Sequence, residues 1–117
     1  MRTYDYQAFV SMFYALDVAF KKNGTERLRS FLSEANPFLW KDKGSADPAV
    51  YEEFSKSFGE RFGIQGATPE EARLFVRDYL GIQDNEYCWA EGDFVAAFDS
   101  IVTPQLWERS LEETAGR

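Results

Sequence analysis

The stretch Asn36-Pro37-Phe38-Leu39-Trp40-Lys41-Asp42-Lys43-Gly44-Ser45-Ala46-Asp47-Pro48 constrains the fold more than any other part of the chain. It is the longest break between segments of helical periodicity, so helices must pack on either side of it. Its first half carries Phe38, Leu39 and Trp40, large apolar side chains that a solvated linker has no reason to hold. The expectation is an apolar loop, residues 36–47, packed between helices two and three, with Trp40 buried and Lys41 to Ser45 at the surface. Pro37 closes helix two by disfavouring α geometry at Asn36. Asp47 reads as an N-cap, with Pro48 at the first helical position, where its missing N–H costs nothing.

Around this loop the periodicity is helical. Asp5 to Lys22 places Tyr6, Phe9, Met12, Phe13, Leu16, Ala19 and Phe20 on one wide face, with lysines in the last turn where they suit the helix dipole. Thr25 is placed to cap a second helix, Glu26 to about Ala35, with Leu28, Phe31, Leu32 and Ala35 inward. Pro48 to about Phe62 forms a third, with Val50, Tyr51, Phe54, Phe58 and Phe62 inward. Thr68-Pro69-Glu70-Glu71 is the clearest start signal: an N-cap threonine, a first-position proline, and a glutamate placed to complete a capping box. Helix four is expected to run to Leu80 and stop at Gly81. A fifth helix is expected from Asp84 to about Val102, continuous through Gly92 in preference to a break at Glu91-Gly92-Asp93 with Asp93 capping a fresh helix. Thr103-Pro104 opens a last helix carrying Leu106, Trp107 and Leu111, and the tail from Glu112 is expected to fray. No segment alternates as a strand does. The fold class is therefore all-α: one domain spanning 1–117, a bundle of five or six helices, mostly antiparallel neighbours.

Composition narrows the function more than it names it. The chain of 117 residues suffices for a core without disulfides or metal. Its formal net charge of −7 disfavours nucleic acid and anionic membrane surfaces, and suits solubility or a basic protein partner. A single cysteine, Cys88, excludes an intrachain disulfide and fits a reducing compartment. With no signal-like or membrane-length segment, the expected location is cytoplasmic. Aromatic residues make up 17% of the chain, so either the core is unusually aromatic or some rings face a partner.

Histidine is absent, which removes imidazole catalysis and His-bearing metal sites. Cys88 lies among Asp84, Glu86 and Glu91, and nearby anions raise a thiol pKa, the wrong direction for a nucleophile. Asp42 to Glu53 has the length of a calcium loop, but Asp47 stands where the turn needs glycine, and Gly44 and Ala46 stand where ligands belong. Adjacent pairs such as Glu52-Glu53 diverge by about 100° on a helix and do not converge on one ion. No cofactor or metal is expected.

One feature of helix one points outward. Val10, Tyr14 and Val18 recur every four residues on the side away from the main apolar face. Either the helix is central, with neighbours covering both stripes, or the second stripe meets another chain, including a second copy across a two-fold axis. An aromatic-rich bundle needs a central helix, which favours burial; if the stripe is open, Tyr14 is its best anchor. The candidate partner- or ligand-binding residues are thus Val10, Tyr14 and Val18, together with Trp40, Asp42, Asp47, Tyr51 and Trp89. The expected function is a small acidic protein-interaction domain of the inhibitor, immunity or adaptor type, without catalytic activity. Its partner would be another protein, basic in character, or a second copy. The alternative is a small-ligand-binding bundle with a pocket lined by Trp40, Tyr51 or Trp89, and a carboxylate-only enzyme ranks behind both.

Overall fold

The computed structural model describes residues 2–23, 26–37, 45, 47–86 and 93–114, with backbone alone for 23, 26–28, 30, 84–86 and 93. Among them the order is α1 (Asp5–Asn23), α2 (Glu26–Ala35), α3 (Pro48–Phe62), a 3-10 turn (Gly63–Gln65), α4 (Pro69–Glu86), α5 (Asp93–Ile101) and α6 (Pro104–Thr114). The protein is all-helical, a single bundle of six helices without strands among the described residues.

Local chemistry fixes the starts. The Thr68 N–H donates to Glu71 Oε1 at 2.9 Å and the Glu71 N–H donates to Thr68 Oγ1 at 3.2 Å, completing the reciprocal capping box of α4. Those bonds hold the Glu71 carboxyl below its ordinary pKa. Asp47 Oδ1 accepts the Ala49 N–H at 3.1 Å, and Thr103 Oγ1 accepts the Leu106 N–H at 3.2 Å. The ends of the long loop are tied down: Pro37 and Ser45 are buried, and the Asp47 N–H donates to the Glu34 carbonyl at the end of α2 at 2.8 Å. Phe38, Leu39, Trp40 and Asp42 lie outside the described residues, as do Cys88, Trp89 and the capping position Thr25.

Two expected boundaries are corrected. Gly81 does not stop α4, which continues to Glu86, so Asp84 lies within α4 instead of preceding a fifth helix. Positive φ, the conformation a glycine stop uses, is confined among the described residues to Gly63 and Gly66. A Cβ on Gly81 would sit 3.9 Å from Val95 Cγ2 of α5, and Leu80 and Gln83 are buried on either side. Packing of α4 on α5 outweighs the roughly 0.5–1 kcal/mol that glycine costs inside a helix. Helix α5 is described as Asp93–Ile101, and the expected continuity through Gly92 lies outside the described residues. The tail also holds further than expected. Glu112 to Thr114 stay helical because Thr114 is buried, its hydroxyl donating to the Leu111 carbonyl at 3.1 Å and lying 3.3 Å from Ser11 Oγ.

The core is built around α1, which packs against each of the other five helices. On its α3 and α4 side the packing is aromatic. The Phe54 ring meets Phe9 at 5.2 Å, Phe75 at 5.2 Å and Tyr79 at 5.0 Å, each edge-on. Such pairs contribute about 0.5–1.5 kcal/mol each beyond the area they bury. Phe62 covers the outer end at 4.8 Å from Phe58, and the Arg61 guanidinium lies 5.6 Å over Phe62 while pairing with Asp78. The residues before α1 are pinned to the loop before α4. The Thr3 N–H donates to the Ala67 carbonyl at 2.7 Å and the Ala67 N–H donates back at 2.8 Å. Gly66 permits this approach: any Cβ there would come within 2.8 Å of the Thr3 carbonyl.

Candidate partner-binding groove

Val18 lies about 180° around α1 from Phe9, and Tyr14 lies close to that outer line. What they face is set by the corner between α5 and α6. The Val102 N–H closes the last turn of α5 on Phe98 at 2.9 Å, and the Trp107 N–H opens α6 on Thr103 at 2.9 Å. Between them Thr103 caps α6 and Pro104 takes its first position. This corner brings Ile101, Val102 and Leu106 side by side, opposite α1. The result is an open groove of about 180 Å³ between Tyr14 and Val18 on one wall and Val102 and Leu106 on the other. Its rims are apolar and wet: Val18 is 41% exposed and Leu106 is 49% exposed.

The floor is rigid. Trp107 is buried, its Nε1–H donating to the Pro69 carbonyl at 2.8 Å and its ring edge-on to Phe98 at 5.5 Å. Ser11 and Ala15 lie beneath Tyr14 and Val18, both buried. Because the Thr114 hydroxyl proton goes to Leu111, Ser11 Oγ donates to Thr114 Oγ1. The small side chains of Ser11, Ala15 and Ser110 leave the space that the groove occupies. Beyond Tyr14 the groove opens into a second hollow lined by Tyr14, Ser110, Glu113 and Thr114.

The candidate residues do not form one site. Tyr14 and Val18 come together in the groove. Val10, on the same stripe, is completely buried, so its surface is taken up by packing. Asp47 and Tyr51 sit across the molecule at the start of α3. Ser45 Oγ accepts the Tyr51 N–H at 3.0 Å and donates to the Asp47 carbonyl, so Asp47 and Tyr51 serve the helix start. The half-buried Tyr51 ring stands edge-on to Tyr6 at 5.8 Å and Phe9 at 5.1 Å. Burial, assisted by the Asp5 carboxylate beside it, pushes the Tyr51 phenol above its ordinary range. Asp5 in turn accepts from Ser55. Trp40, Asp42 and Trp89 lie outside the described residues. Sequence reasoning groups Leu106 with Trp107 and Leu111 on the last helix and singles out neither Val102 nor Ser110. One signal was present: Leu106 lies about 100° from Trp107 on a helix, too far to share its buried face.

Among the described residues no cluster of three or more metal-ligating side chains occurs, and no helix is long and apolar enough to cross a membrane. Compared with known protein families, curated proteins and solved structures, the chain matches none.

Proposed function

We propose that this chain is an acidic protein-interaction domain of the inhibitor, immunity or adaptor type, without catalytic activity, and that its partner docks in the α1–α6 groove. The observation that carries this reading is the half-exposed apolar rim of Val18 and Leu106 over a rigid, buried floor. Apolar side chains left half in water on both sides of a slot gain free energy when a partner covers them. Tyr14 adds an amphipathic ring of the kind favoured at such contacts. A small-ligand site is the second reading, supported by the Tyr14 and Trp107 rings in the groove wall. Its volume of about 180 Å³ falls below the roughly 300–1,000 Å³ usual for small-molecule pockets, which favours a protein side chain as occupant.

The test is capture from a native lysate on the immobilised full chain, read by mass spectrometry, for the wild type and for Val18→Ser/Leu106→Ser. A partner retained by the wild type and lost by the double variant supports the proposal. Equal retention by both removes the groove from it. Light scattering on the wild type and Tyr14→Glu reports in parallel whether a second copy is that partner.

A further inference from the structure

We infer that the α1–α6 groove takes the apolar stripe of a basic amphipathic helix, with a lysine or arginine of that helix seated on Glu113. This rests on the interaction-domain reading above and specifies the partner's chemistry. On α6 the row Leu106, Ser110, Glu113 follows the spacing of one helix face, so it passes from apolar rim to carboxylate within two turns. Glu113 lines the hollow that continues the groove, together with Tyr14, Ser110 and Thr114. The exposed Glu113 carboxylate, like those of Glu52, Glu53, Glu60, Glu108 and Glu112, has no basic partner among the described residues; its place in the hollow beside the groove sets it apart from them. A partner that places an aliphatic side chain between Val18 and Leu106 and a cation about one turn further along satisfies both parts.

The net charge of −7 draws such a partner from a distance and repels an acidic helix or a second copy of this chain. The α1 row Tyr14, Val18 continues to the exposed Lys22, so the cation belongs at the Glu113 end of the groove.

The probe is a capped leucine–lysine helical peptide of about 18 residues, with a leucine–glutamate twin. Each is titrated into the isotope-labelled full chain by NMR, and affinities are taken from fluorescence anisotropy. The lysine peptide should shift amides within 14–18 and 102–113. The glutamate twin should bind at least about tenfold more weakly. Glu113→Gln should weaken the lysine peptide about threefold, whereas Glu53→Gln, which removes the same charge from an exposed position on α3, should not. Leu106→Ser should cost about tenfold. Equal effects of Glu113→Gln and Glu53→Gln overturn the inference, as do shifts centred elsewhere. If both peptides bind the groove equally and Leu106→Ser weakens both, the groove stands as a docking site and the cation seat falls. If neither peptide shifts groove amides, the helical partner falls, and lysate capture separately decides the broader reading.

Discussion

The two sides of α1 are built from different materials. Toward α3 and α4, Phe9 enters a set of edge-on rings around Phe54, and Phe54, Phe58, Phe75 and Tyr79 are all buried. Toward α6 the facing positions are Ser11, Ala15 and Ser110, too small to meet one another, and the space between them stays open. One helix thus seals one side and leaves the other half-finished. The difference teaches where stability and recognition are separated: rings close a core because each fills a large volume, whereas short side chains under aliphatic rims leave a slot of side-chain size.

Three perturbations sharpen that contrast. On the sealed side, Phe54→Ala removes a ring with no neighbour free to fill its place, and should lower unfolding stability by about 3–5 kcal/mol in denaturant titration. A loss below about 1 kcal/mol would make this side as tolerant as the other and end the comparison.

At the edge of the same side, Tyr51 gives a pH-dependent effect. Its phenol is held above its ordinary value of about 10, chiefly by burial and then by Asp5. The folded state therefore keeps that proton longer than the unfolded state. The associated stability is full below about pH 10 and declines as pH rises above it. Tyr51→Phe should flatten the alkaline decline seen in denaturation series above about pH 10; parallel curves would show that Tyr51 is not its source.

The smallest effect is expected on the open side. Leu106→Ser should change stability by about 1 kcal/mol or less, because the side chain is already half in water. The same variant should weaken binding of the basic helical peptide about tenfold. A loss comparable with that of Phe54→Ala would place Leu106 in the core.

The starts of α3, α4 and α6 were legible because capping is local: Thr68 and Glu71, or Asp47 and Ala49, meet across one turn whatever the rest of the chain does. Gly81 was misleading for the opposite reason. Its local preference is to stop a helix, and only the burial of Leu80 and Gln83 against distant elements shows why α4 continues. The Val10, Tyr14, Val18 stripe was visible as a period, but a period does not say where neighbours end. Val10 is buried, Tyr14 half-buried and Val18 exposed along one line. The groove itself was beyond reach, since its second wall exists only because the Thr103-Pro104 corner turns Val102 and Leu106 toward α1.

The bond between Ser11 and Thr114 joins residues 103 positions apart, and that between Gln7 and Leu111 spans 104. Helix α1 is therefore made well before the helix that gives its buried hydroxyl a partner. Bringing such remote segments together carries a loop-closure entropy that neighbouring helices avoid, which slows a helical chain relative to bundles whose contacts are local. Until α6 emerges, the nascent chain carries that side of α1 without its α6 cover, and transiently exposed apolar surface of this kind is where folding chains associate wrongly.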